Sequence, residues 1–349
     1  MSKRNLPNMK DVADLAQVSV ATVDRVMHQR PGVRQRTIDR VMVASEKLGY
    51  LFDTANTAPP SSNKPLSIKF LLPDAQNTFS AMLLDGIEYA QERWASHGIQ
   101  CCAESYPDLN PEALAQAMLR DRQQVDGVVM VAVEHALVRE AAQTLADEGV
   151  PLVCLVSDLT GAPRTAYVGM DSLVCGRTAA HMIGRFVSGV SAHGHAKVGL
   201  ISGSLSLRAQ VDRQKGFMQV LTRDFSNFQV VGLLEGQEQA QTNHELAKQL
   251  LRRHPDIAAI YCMGGGAMGV ASAITQANLD HRVLLIGHGL TPGVRRMLLD
   301  GTMDASLYQS PQTLIDNAVR VFINQREGNE PTEGIEPIRV QVMLRENLP

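Results

Sequence analysis

The sequence predicts an all-α helix-turn-helix head joined to an α/β body of two doubly wound parallel-sheet lobes. Three observations predict it. The chain has 349 residues, too many for one ordinary core. Its charge is uneven: residues 1–65 carry ten Lys/Arg against six Asp/Glu, and the remainder carries 23 against 30. From Leu66 onward, apolar runs alternate with amphipathic helical stretches, the pattern of parallel strands covered on both faces. The expected division is a head over 1–52, a linker over 53–65 and a two-lobed body over 66–349.

In the head, NMKDVADLAQVSVATVDRVMHQ reads as two short helices around a tight turn. Asn8 caps the first, with Asp11 three residues on, a capping-box variant. Val12, Leu15 and Ala16 form its apolar face. Ser19 caps the second helix, whose inward positions are Val23, Val26 and Met27. RTIDRVMVASEKLGY is a third helix, with Ile38, Val41, Met42 and Leu48 inward and Gly49 as its stop. A basic three-helix head on an acidic body suits a polyanion. The second helix is expected in a DNA major groove, with Val20, Ala21 and Arg25 on its exposed side. Arg25 can grip guanine with two hydrogen bonds; Val20 and Ala21 can offer apolar contact to a thymine methyl. Thr22, Arg34 and Arg36 suit phosphates, and Ser19 belongs to the same DNA-facing set.

The stretch LFDTANTAPPSSNKPLS, 51–67, contains Pro59, Pro60 and Pro65 among small polar residues, which marks a linker. At most Asp53–Ala58 could make one helical turn.

In the body, strands are expected at Ser67–Leu72, Gly98–Glu104, Gly127–Val131, Leu152–Val156, Ala166–Val168, Lys197–Ile201, Val230–Leu234, Ala258–Cys262, Arg282–Ile286 and Asp304–Tyr308. Helices such as Ala81–Trp94, Pro111–Arg120, Cys175–Phe186, Gln210–Leu221 and His244–Arg253 lie between them. Ten strands exceed one compact sheet, so two lobes are expected. Ligands of such sheets bind at the carboxyl ends of strands, which places one cleft between the lobes.

Several classes are disfavoured. Gly264, Gly266 and Gly269 spell G-x-G-x-x-G after an apolar run, the dinucleotide fingerprint. A dinucleotide site also wants an acid at the tip of the next strand. That strand ends instead at Gly287-His288-Gly289, and Asp280 lies at its wrong end, so the glycines read better as a close-approach turn beneath a small ligand. No nucleophile elbow, C-x-x-C pair, phosphate-loop lysine or H-E-x-x-H occurs, and no metal or cofactor is expected. Cys101, Cys102, Cys154 and Cys262 lie in or beside apolar runs and read as buried reduced thiols. The polar N-terminus and the absence of a membrane-length apolar run lead us to expect a soluble, cytoplasmic protein with no membrane partner.

K-D-V-A-D-L-A-Q-V-S-V-A-T-V-D-R-V at 10–26, with E-K-L-G-Y at 46–50, resembles the head of the LacI/GalR family of bacterial transcription regulators. In that family the residues matching Val20, Ala21 and Arg25 read bases. Asp24 departs from the usual serine, Arg34 from the usual serine-type cap, and the linker lacks the leucine that the family's hinge helix wedges into the minor groove. The order of LLPDAQNTFSAMLLDGIEYA, VCLVSDL, YVGMDSLVCGRTAA, VGLISG…RQKGF, VLLIGHG and DGTMDASLYQSP resembles the type I periplasmic-binding-protein fold, the effector domain of the same family.

The resemblance implies a transcription regulator, read here as a repressor, that binds double-stranded operator DNA as a homodimer and responds to a small effector, a sugar or polyol. Strand-end position and resemblance together select Asn77, Phe79, Ser157, Asp158, Arg208, His288 and Gln309 as effector-binding residues. Arg213 is an alternative to Arg208, and Asp171 reads as a helix cap before a ligand contact. The alternative reading is an enzyme using the same cleft.

Overall fold

The structure, a computed structural model, describes residues 8–27, 33, 35–48, 65–74, 78–187, 196–279 and 282–349, without the side chains at 27, 35, 36, 39, 42, 46–48 and 78. Arg34, Gly49, Asn77, Asp280 and the linker from 51 to 64 therefore lie outside the described residues, as do the side chains of Met27, Arg36, Met42 and Leu48. Two compact units separate, one within Met1–Asn63 and one within Lys64–Pro349.

The first unit holds α1 (Met9–Ala16), α2 (Val20–Met27) and α3 (Gln35–Leu48). Asn8 and Asp11 form the expected capping box on α1. Gln17, in the left-handed conformation at φ 53°, ends that helix. Ser19 starts the next, its Oγ accepting the Thr22 N–H at 3.1 Å. Val12, Ala13, Ala16, Val23, Val26, Val41 and Ala44 make the core, with Ile38 packed against it. Leu15 departs from expectation: it is 48% exposed. Each helical residue turns the direction by about 100°, so a stripe centred on Val12, Ala13 and Ala16 leaves Leu15 to one side.

In the second unit the ten strands read from the sequence are all present, with ends shifted by at most two residues. They are β1 (Leu66–Pro73), β2 (Ile99–Tyr106), β3 (Gly127–Met130), β4 (Leu152–Leu155), β5 (Ala166–Val168), β6 (Ala196–Ser202), β7 (Phe228–Glu235), β8 (Ile257–Cys262), β9 (Leu284–His288) and β10 (Ala305–Tyr308). An eleventh, β11 (Gln341–Met343), was not expected. The helices are α4 (Thr78–Trp94), α5 (Pro111–Leu119), α6 (Ala136–Asp147), α7 (Ser172–Val187), α8 (Arg208–Asp224), α9 (Ala240–Arg253), α10 (Ala267–Gln276), α11 (Pro292–Asp300) and α12 (Pro311–Glu327).

Two sheets form, in the orders β2-β1-β3-β4-β5 and β11-β10-β9-β8-β6-β7. Every pairing is parallel except β10 with β11, which closes one edge antiparallel. The lobes are not consecutive in sequence. After β5 the chain crosses through 169–171 to α7, which packs on α8, β8 and β9 of the second lobe. After β10 it returns to α12, which packs on α4, β4 and β5 of the first. After α12 it crosses again to β11.

α12 is built into the first lobe. Phe322 lies against β3 where Gly127 has no side chain to obstruct it. Asp316 accepts from Arg93 at 2.8 Å and from the Trp94 indole at 3.1 Å, tying α12 to α4. In the second lobe α7 meets α8 at Gly176 and Gly216, where a Cβ on either would collide with the other helix's backbone. Cys154, Cys175 and Cys262 are buried, and burial raises their thiols to about 12, about 11 and about 12. Cys102 is exposed instead, because β2 is an edge strand. No helix among the described residues is long and apolar enough to cross a membrane.

Candidate functional site

The head presents one helical face. Inward Val23 and Val26 fix the rotation of α2, which leaves Val20, Ala21 and Arg25 outward. Ala21 and Arg25 are one turn apart and share that face. Thr22 is half-buried, its hydroxyl 2.8 Å from that of Ser19 at the helix start. The outward face thus combines a guanidinium fork with two small apolar side chains, a set suited to base edges in a major groove.

The body holds a cavity of about 190 Å³ between its lobes. Of the residues selected from sequence, Phe79, Ser157, His288 and Gln309 line it. Phe79 is in the first turn of α4, and Ser157 follows β4. Val156 has φ 65°, rare for a β-branched residue. This turn aims Ser157 inward and Asp158 away. His288 ends β9, and Gln309 follows β10 at the second crossing.

Asp158 and Arg208 are placed elsewhere. Asp158 pairs with Arg164 at 2.7 Å. Arg208 begins α8 and pairs with Asp212, one turn on, at 2.8 Å. Both line a second cavity behind the first crossing. Asp171 lines it too and caps α7, accepting the Val174 N–H at 3.0 Å. The phase of α8 explains the placement: Ala209, Gln210 and Arg213 face the inter-lobe cavity, so Arg208 and Asp212 do not. Arg213, the alternative cation, is 6% exposed. It donates from Nη1 to the Met263 carbonyl, and its Nε is buried with no partner.

His288 is held neutral. Burial lowers it well below the ordinary 6.5, and the Arg213 charge lowers it further. Its Nε2 is 2.8 Å from the Tyr261 hydroxyl, and its Nδ1 is buried without a partner. Tyr261 is fixed by stacking on Phe217, with centroids 5.3 Å apart.

Sequence reasoning missed Glu238. It sits in the β7–α9 loop and lines the cavity. Its carboxylate accepts from the Gln210 amide and from the Gly265 N–H. Burial pushes this carboxyl upward, while Gln210, Gly265 and Arg213 pull it down. The glycine motif is thereby explained without a nucleotide. Gly264 and Gly265 leave room for Glu238, Gly266 turns at φ 75°, and Gly269 lets α10 approach the Ala240 carbonyl of α9. Among the described residues, no cluster of His, Cys, Asp and Glu could hold a metal ion.

Comparison with known proteins agrees with both parts. Residues 8–52 match the model of bacterial regulatory proteins of the lacI family, and residues 68–330 match that of the periplasmic binding protein domain. The HTH-type transcriptional regulator GntR of Escherichia coli K12 is 25% identical over 265 residues, covering 74% of each chain. Catabolite control protein A of Staphylococcus aureus Mu50 is 25% identical over 214 residues, 61% of each chain. GanP, a glucose-galactose binding protein from Geobacillus stearothermophilus, superposes with a TM-score of 0.72 at 21% identity over 82% of this chain and all of its own. A solute binding protein from Actinobacillus succinogenes with bound D-allose gives 0.71 at 18% identity over 81% of this chain and 98% of its own. A lacI-type head on a periplasmic-binding-protein body leaves one assignment: the chain belongs to the lacI family of bacterial regulatory proteins and is a DNA-binding transcription regulator.

Proposed function

We propose that this regulator is a repressor whose operator affinity is set by a sugar or polyol bound between the lobes, and that it acts in the cytoplasm as a homodimer. The observation that carries the ligand reading is the cavity wall. Phe79 offers an aromatic face, while Ser157, Arg213, Glu238, His288 and Gln309 converge as polar groups from both lobes. Such a mixture suits a small polyhydroxylated molecule. The solved proteins of like fold named above include sugar binders, which supports the same class.

The dimer reading rests on the head. One helix-turn-helix reads few base pairs, and half-sites come in two-fold pairs. We assign DNA contact to Ser19, Val20, Ala21, Thr22, Arg25, Arg34 and Arg36, and division of the chain at 1–52, 53–65 and 66–349. Effector contact goes to Phe79, Ser157, His288 and Gln309, with Asn77 beside Phe79 in sequence, and to Arg213 in place of Arg208. A ligand touching both lobes favours their closed arrangement, and any difference in DNA affinity between arrangements couples the two sites reciprocally.

The test is a thermal-shift screen of the full chain against sugars and polyols, followed by operator titration with each hit. A ligand at about 100 times its dissociation constant stabilises by roughly 2.7 kcal/mol, a readily measured shift. A hit that also changes operator affinity supports the reading. If no member stabilises the protein, or hits leave DNA binding untouched, the reading fails.

A further inference from the structure

Gly264, Gly265 and Gly266 follow β8 and lead into α10. A turn of this kind at a helix start offers backbone N–H groups to an anion. Here the protein supplies the anion itself. Glu238 Oε2 accepts the Gly265 N–H, and Oε1 accepts the Gln210 amide. The place is shaped for it: a Cβ on Gly203, Gly264 or Gly265 would collide with this carboxylate. The loop that delivers it is costly. Gln237 and Glu238 both adopt left-handed backbone, at φ 54° and 61°, though neither is glycine. Arg213 lines the same cavity, buried, with its Nε unpartnered. A guanidinium and a carboxyl group that accepts from two N–H donors thus share the wall.

Resting on the reading of this cavity as the effector site, we propose that Glu238 is its specificity-determining residue. Its carboxylate occupies the anion position of the glycine turn, so the cavity admits uncharged polyhydroxylated ligands and turns away phosphorylated or carboxylated ones. Each carboxylate oxygen uses one lone pair on the protein and keeps another for a ligand hydroxyl. A phosphate brought to the same place meets a like charge where little water screens it. This is exclusion by a repulsive element as well as selection by an attractive one. Without the carboxylate, the Gly265 N–H, the Gln210 amide and the Arg213 cation remain as an anion site.

The experiment is thermal unfolding of the full chain in inorganic phosphate, with sodium chloride at equal ionic strength as the control. Wild type, Glu238→Ala, Glu238→Gln and the double variant Glu238→Ala/Arg213→Ala are compared, and a neutral sugar panel is run on wild type in parallel. We expect phosphate to stabilise Glu238→Ala at a concentration at least about tenfold below any effect on wild type, and the double variant to lose that gain. Glu238→Gln keeps the volume should the alanine variant fold poorly, and it should gain phosphate binding in the same direction. The inference is overturned if wild type responds to phosphate as strongly as the variants, if neither variant gains, or if the gain survives loss of Arg213. The sugar panel reports separately on the effector reading. Sugars that stabilise wild type without any phosphate gain in the variants defeat only the specificity claim. A phosphate gain without any sugar response defeats only the effector reading.

Discussion

Gln309 and Met170 join two of the crossings between lobes. The Gln309 Oε1 accepts the Met170 N–H at 3.0 Å in a buried position, linking residues 139 apart in sequence. Gln309 also lines the inter-lobe cavity. One side chain therefore touches both the inter-lobe cavity and two of the segments that cross between the lobes. Gln309→Ala leaves a buried N–H unsatisfied, which costs about 1–3 kcal/mol. We expect a loss of that size in urea unfolding and a weaker effect of any sugar hit on operator affinity. Unchanged stability would show that Met170 finds another acceptor.

Arg213 and Arg208 separate cleanly. Arg213→Lys keeps the charge but removes the fork and the Met263 contact, so effector affinity should fall by about tenfold or more. Arg208→Ala and Asp158→Ala break half-buried pairs behind the crossing that still reach solvent, each worth about 1 kcal/mol, and should leave effector affinity within about twofold. Calorimetry on the three variants checks the order. A larger loss for Arg208→Ala than for Arg213→Lys would move the site to the second cavity.

The head should bind DNA in a salt-dependent way, because neutralised phosphates release counterions. Arg25→Ala is expected to lose about 1–3 kcal/mol per half-site and to relax one base position without changing the salt slope by more than about one. Selection from random DNA, repeated with the variant, measures both. If wild type enriches no two-fold sequence, the dimeric reading of the head is wrong.

The neutral His288 sets a pH dependence. Its folded value lies well below 6.5, so from 6.5 downward the unfolded chain binds a proton that the folded chain refuses. Stability is then full above 6.5 and is lost as pH falls toward the folded value, with a slope of at most about 1.4 kcal/mol per pH unit. Arg213 and Tyr261 are the groups that face it, and both oppose or ignore protonation over this range. Urea unfolding from about pH 8 to about pH 5 should show that slope, and His288→Gln should flatten it. An equal slope in both proteins would assign the effect to other groups.

Much of this was legible in the sequence because it is local. Caps at Asn8 and Ser19 follow from side chains within three residues, and strand and helix periods are read in short windows. β11 was not legible, since three residues carry little pattern and its partner β10 is more than thirty residues away. Arg213 could not be chosen over Arg208 because the choice depends on where α8 begins, and Leu207 gives it no side-chain cap. Glu238 was hidden for a different reason. Its place depends on two left-handed residues that are not glycine, and on a glycine turn 27 residues later.

The late return of α12 bears on how the protein is made. All five strands of the first lobe have been synthesised by Val168, yet the helix that covers part of their sheet starts at Pro311. At roughly 5–20 residues per second, that gap of about 140 residues lasts on the order of ten seconds. Through this interval Gly127 and its neighbours wait without Phe322, and Asp316 is not yet there for Arg93 and Trp94. The first lobe to be started therefore waits for its covering helix until ten of the eleven strands have been made. A nascent chain halted just before Pro311 should carry a complete second-lobe helix pair, α7 on α8, beside a first lobe that still engages chaperones and still yields to protease.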